Sequence, residues 1–265
     1  MAMSIDISPL HQNFLSSGAK DHPNFWIHGA SNFIPNMLKF IKRIHEPKIV
    51  TYSEMINSRS DDFKNMIIKY KSDKNFHNYH VLYSFIIDEP TKKMDILEIG
   101  LGTRNPTIPS TMFFYEQDKD FINIPGGSLR SFREYCPNSN IYGADIDREI
   151  LFSDDRIETF FVDQLDIESL KTLFKNRMFD IIIDDGLHHI SSNMNTLLEA
   201  LDHIKIGGYI VIEDIINTDN WHVIDFTVSR IPGFETKLID FESGSYIYLV
   251  KRISVATENL HDDLM

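Results

Sequence analysis

Two apolar runs in this chain end in pairs of acids. Phe179-Asp-Ile-Ile-Ile-Asp184 leads into Asp185-Gly186-Leu187-His188-His189, and Gly207-Gly-Tyr-Ile-Val-Ile leads into Glu213-Asp214. Runs of this kind, with charge held back to the C-terminal end, suit strands buried in a parallel sheet. Ligands of open α/β sheets bind beyond that end. Asp185, Glu213 and Asp214 are therefore expected to converge at one rim, with His188 beside them. Three carboxylates there would repel and raise one another's pKa values. A divalent cation is the simplest compensation, and hard oxygen ligands favour magnesium, calcium or manganese over zinc.

The elements that must position these residues are read from periodicity. Strand candidates fall at 94–99, 141–146, 157–162, 179–184, 207–213, 234–240 and 245–251, with helical segments at 127–136, 166–176, 190–204 and 219–231 between most of them. Such alternation implies right-handed βαβ units and an α/β fold with a mostly parallel seven-stranded sheet. The last two runs join through the polar Glu242-Ser-Gly-Ser245, so the final strand should enter antiparallel. Before residue 91 the pattern is helical, over 32–45, 53–71 and 77–87, which predicts an N-terminal helical appendage or lid over 1–90. Residues 91–255 are the expected catalytic domain and 256–265 a flexible tail. The stretch from Gly100 to Pro125 is long for a strand-to-helix connection and is expected to cover a bound ligand in part.

Composition narrows the class. A net charge of -13 argues against a general nucleic-acid or anionic-membrane partner. No run reaches the length of a membrane span. The first residues lack a basic-then-apolar leader pattern, and the single Cys136 suits a reducing compartment, so a cytoplasmic enzyme is expected.

A second constellation lies upstream. Glu98-Ile-Gly100-Leu-Gly102 ends a strand in a Gly-x-Gly turn, where glycine lets backbone approach a ligand. A dinucleotide fingerprint needs a third glycine where Asn105 stands. The segment instead resembles the first motif of class I S-adenosylmethionine-dependent methyltransferases. Ile141-Tyr-Gly-Ala-Asp145-Ile-Asp147 resembles that fold's second strand, whose terminal acid accepts the ribose hydroxyls. Asp145 is assigned that role, its two oxygens suiting a vicinal diol, and Asp147 is assigned to helix capping or solvent. Asp163-Gln164 matches the place where the adenine amino group is read.

The later motifs resemble the metal-dependent sugar O-methyltransferases of the macrocin and mycinamicin type. Asp184-Asp185-Gly-Leu-His188 and Glu213-Asp214 carry the likeness, with Ser72-Asp-Lys74, His77-Asn-Tyr79, Tyr83 and Ser128 to Pro137. The resemblance implies a Rossmann-like methyltransferase fold, S-adenosylmethionine and Mg2+ or another hard divalent cation as cofactors, and a homo-oligomer. It implies Asp185, Glu213 and Asp214 as metal ligands and His188 as general base, with an acceptor hydroxyl of a sugar or glycoside held on the metal. Glu98, Gly100, Gly102, Asp145, Asp163, Gln164, Asp184 and Tyr79 form the candidate cofactor-binding set. Strand alternation turns Asp184 away from Asp185, so backbone capping is an open alternative for it, as helix packing is for Tyr79. Rival readings are a catechol, phenol, carboxylate or nitrogen acceptor, a nicotinamide-dependent oxidoreductase, a metal-dependent hydrolase, and a binding protein without catalysis.

Overall fold

In a computed structural model, residues 35–110, 112 and 124–254 are described. Among the described residues there are nine strands: β1 (Ile49–Thr51), β2 (Asp95–Ile99), β3 (Asn140–Asp145), β4 (Ser153–Asp154), β5 (Ile157–Phe161), β6 (Phe179–Asp184), β7 (Ile204–Ile215), β8 (Phe234–Asp240) and β9 (Tyr246–Arg252). The helices are α1 (residues 35–44), α2 (Ser60–Lys69), α3 (Tyr79–Ile86), α4 (Gly127–Tyr135), α5 (Ile167–Phe174), α6 (Ile190–His203) and α7 (Asp219–Val228).

All nine strands share one sheet in the order β1-β8-β9-β7-β6-β2-β3-β5-β4. From β2 the chain moves outward through β3 and β5, then returns to the other side of β2 as β6. The reversal opens a crevice at the C-terminal ends of β2 and β6, where doubly wound sheets bind ligands. Glu98, Asp145, Asp184 and Glu213 therefore all end up at the same edge, because each stands at or near the end of a parallel strand.

Alternation decides which face each strand residue buries. Ile181 and Ile183 of β6 pack with Phe63 of α2, Tyr83 of α3 and Phe132 of α4. Ile182 packs with Leu170 of α5, Leu197 of α6 and Trp221 of α7 on the opposite face. This covering of both faces explains why β6 reads as a continuous apolar run rather than an alternating one. Cys136 is buried in the first of these layers, and burial pushes its thiol up to about 12.

Nine strands replace the seven expected. The seven runs are all strands, and β9 lies antiparallel to both β7 and β8. The two additions are edge pieces. β1 runs parallel to β8, and β4 is a two-residue antiparallel partner of β5. Neither is long enough to leave an alternating pattern; their pairing comes from a neighbour's backbone, as where Leu238 N–H donates to the Lys48 carbonyl at 2.9 Å. The helix expected from residue 53 starts at Ser60, after a 3-10 turn at Tyr52–Met55. Residues 111 and 113–123 of the expected cover at 100–125, the first residues of the chain and the expected tail lie outside the described residues. Among the described residues no helix is long and apolar enough to cross a membrane.

Candidate active site

The turn after β2 is built against the end of β6. Gly100 has φ +98°, and a Cβ there would stand 2.0 Å from the Asp185 carbonyl oxygen. No other residue type fits so close an approach. Asp185 N–H in turn donates to the Ile99 carbonyl at 2.8 Å, locking the two strand ends together.

Beside this turn lies a cleft of about 290 Å³, bordered by Gly100, Gly102, Asp145, Asp163, Gln164 and His188 among others. Asp145 is nearly buried; one oxygen accepts from Leu101 N–H at 2.7 Å and the other from Asp147 N–H at 2.8 Å. Each oxygen keeps acceptor capacity for a ligand hydroxyl. Burial raises this carboxyl above its ordinary pKa, against the pull of those amides. Asp147 caps the short 3-10 helix Arg148–Ile150. Asp163 accepts from Leu165 N–H at 2.9 Å, holding the loop that follows β5.

Gln164 is committed largely to the protein. Its amide donates to Asp184 at 2.8 Å and to Thr196 at 3.0 Å, and its oxygen accepts from Leu187 N–H at 2.9 Å. Asp184 is wholly buried, accepting also from Asn193 at 3.1 Å and Gly186 N–H at 3.3 Å. Asp184 thus shapes the Asp185-to-His188 turn from beneath and does not border the cleft. Glu98 likewise lies under the glycine turn, fully buried, and accepts from Ser128 Oγ at 2.5 Å.

At the rim, the acids are joined by Lys74, which the sequence placed in a motif but gave no role. Lys74 Nζ donates to Asp185 Oδ2 at 2.6 Å and to Glu213 Oε2 at 2.7 Å, and lies 3.0 Å from Glu98 Oε1. Burial works against its charge, but Asp185, Glu213 and Glu98 outweigh it and hold Lys74 well above the ordinary lysine pKa. Burial and the nearby Asp185 push Glu213 up. Burial and Asp185 also bring Asp73 to about 6. The other oxygen of Glu213 accepts from Tyr83. Tyr79 donates to Asp214 and contacts Ser245 Oγ at 2.9 Å, so it serves the acid rim and does not border the cleft. The signal for Lys74 was its place in Ser72-Asp73-Lys74, one of the stretches that carry the family resemblance, with nothing in it to show which acids the ammonium meets.

The structure brings Asp185, His188 and Asp214 into a cluster whose donor atoms lie within 4.8 Å of one another, a spacing able to hold a metal ion. His188 Nε2 is 3.9 Å from Asp185 Oδ1 and 3.6 Å from Asp214 Oδ2. Glu213 stands one residue away in sequence but turns inward to Lys74 and Tyr83. His188 Nδ1 is buried without a hydrogen-bond partner among the described residues. Neighbouring His189 instead caps α6, accepting from Ser191 N–H at 3.2 Å. The two carboxylates, with a surplus of negative charge over Lys74, fit a hard divalent cation, and the imidazole beside them faces the same point.

Known proteins resemble the chain in sequence and in fold. No family model matches the chain. It is 41% identical over 92 residues to mycinamicin VI 2''-O-methyltransferase of Micromonospora griseorubida, covering 34% of this chain and 23% of that protein. It is 33% identical over 183 residues to 8-demethyl-8-alpha-L-rhamnosyl tetracenomycin-C 2'-O-methyltransferase of Streptomyces olivaceus, covering 66% and 44%. The chain thus spans less than half the length of either relative. Its fold matches MycE methyltransferase from the mycinamycin biosynthetic pathway, solved in complex with Mg, SAH and mycinamycin VI. That match has a TM-score of 0.57 at 23% identity, over 74% of this chain and 56% of MycE. The chain shares the fold of MycE methyltransferase, and its sequence relatives include the mycinamicin VI 2''-O-methyltransferase and demethylmacrocin O-methyltransferase.

Proposed function

We propose that the protein is an S-adenosylmethionine- and divalent-metal-dependent O-methyltransferase acting on a sugar hydroxyl of a glycosylated natural product or related glycoside. The observation that carries this reading is the double use of Asp185. Its carbonyl closes against Gly100 of the cofactor turn, while its carboxylate stands at the rim with His188 and Asp214. A donor bound over the glycines and an acceptor bound at the acids would meet there. The named relatives, which act on sugar hydroxyls, support the acceptor class.

Asp185 and Asp214 would hold the cation, with Glu213 behind them. When bound, S-adenosylmethionine supplies an electrophilic methyl group, and the cation supplies Lewis acidity and orientation toward a hydroxyl. Asp145 binds the ribose diol through its two oxygens. His188 takes the acceptor proton at Nε2, the nitrogen facing the acids, since an imidazole is well poised near neutral pH. The rest of the task is holding the two reacting groups in near-attack geometry. The segment before β2 brings Lys74 and Tyr79 to the site, which supports the described stretch from Ser72 to Tyr83 as part of its cover. The reading extends to a cytoplasmic homo-oligomer, testable by light scattering.

Incubation with S-adenosylmethionine and a panel of glycosides and nucleotide sugars, with Mg2+ or with EDTA, tests the function. The expected result is a product heavier by one methyl group, formed only with the metal. Transfer to catechols alone would reassign the acceptor.

A further inference from the structure

We infer that Lys74 is a positioning residue that sets the charge and shape of the divalent-cation pocket from its inner side and ties that pocket to the acid beneath the cofactor turn. The inference rests on the metal-dependent reading above. Lys74 is 2% exposed and reaches inward from a short 3-10 helix, Asp73–Asn75, capped by Ser72. An ammonium has three donors, and this one meets three carboxylates carried by three different strand ends: Glu98, Asp185 and Glu213. Burying any of these charges alone would be prohibitive, so the ammonium stabilises all three acids in one arrangement.

That arrangement has directional consequences. Asp185 gives Oδ2 to Lys74, which leaves Oδ1 toward His188. Glu213 gives one oxygen to Lys74 and the other to Tyr83, so its carboxylate is held inward. Lys74 therefore selects which oxygens face the outer cluster of Asp185, His188 and Asp214. It also places a fixed positive charge beside that cluster, which lowers its attraction for a cation and opposes the acid excess that would otherwise grip one indiscriminately. Glu98 offsets part of that charge, so the acid under the glycine turn tunes the metal pocket through Lys74.

The test is calorimetric titration of the full chain with MnCl2 alone, comparing wild type, Lys74→Met and Glu98→Gln. Removing the ammonium should tighten Mn2+ binding by about tenfold or more, because a neighbouring like charge is lost and Glu213 is released. Glu98→Gln, which leaves the ammonium less neutralised, should weaken binding several-fold. A scaffold role alone would make Lys74→Met bind more weakly, so unchanged or weaker binding overturns the inference. If Lys74→Met does not fold, Glu98→Gln decides, and unchanged binding there overturns it. Binding by none of the three proteins would contradict the metal-dependent function itself and, with it, this inference. Binding by Lys74→Met alone would contradict only that function, and would uphold Lys74 as the internal counter-cation.

Discussion

His188 and Asp214 face each other at 3.6 Å across the rim, and both hold left-handed backbone, at φ 53° and 56°. A residue with a Cβ pays about 1 kcal/mol or more for that conformation. Such strain concentrates where a turn must aim a side chain. Here it turns an imidazole and a carboxylate toward the same point from two separate strand ends.

His188→Ala should lower methyl transfer by roughly 10²- to 10⁴-fold, the usual contribution of a general base. Binding of S-adenosylhomocysteine should fall far less, because the glycine turn, Asp145 and Asp163 that border the same cleft are untouched. Turnover kinetics and calorimetry on the same preparation check both halves.

Tyr79 holds Asp214 from behind, so Tyr79→Phe should weaken divalent-metal binding by roughly tenfold to hundredfold. Titration with Mn2+ measures it. A loss confined to S-adenosylhomocysteine binding would return Tyr79 to the cofactor site.

Gly100→Ala places a methyl group 2.0 Å from the Asp185 carbonyl oxygen. The two strand ends must separate, so melting temperature, cofactor binding and metal binding should fall together. Retention of either binding activity at wild-type strength would show that the sites are independent.

His80 is buried and lies on α3, and burial, with a smaller push from Lys64, lowers it to about 4. In the unfolded chain a histidine titrates near 6.5, at about the usual value. Between these values the unfolded state binds the extra proton, so stability is fully present above the unfolded pKa and is lost as pH falls toward the folded one. His80→Leu should therefore lose less stability than wild type between about pH 7.5 and about pH 5 in urea melts. Equal losses would contradict it.

The apolar runs of β6 and β7, the side-to-side alternation of strand side chains, and the acids held at the ends of both strands made the rim legible in the sequence. Asp184 shows the same logic: alternation turned it from Asp185, and it is indeed buried under the turn. Lys74 was legible as part of the Ser72-Asp73-Lys74 motif but not as the partner of the acids. Its burial depends on Glu98, Asp185 and Glu213, which lie far off in the chain, and the polar stretch around it has no periodicity. Tyr79 and Tyr83 lie one helical turn apart and share a face. That face meets Asp214 and Glu213, a pairing that only the packing of α3 against the sheet reveals. β1 and β4 escaped because two or three residues carry no pattern.

Methyl transfer from S-adenosylmethionine to a glycoside acceptor, followed while Mg2+ is removed with EDTA and then restored, bears most directly on the account. It predicts loss of transfer on chelation, full recovery with Mg2+, and no recovery in Asp185→Ala although that variant still binds S-adenosylhomocysteine. Undiminished transfer in EDTA, or wild-type turnover by Asp185→Ala, would contradict it.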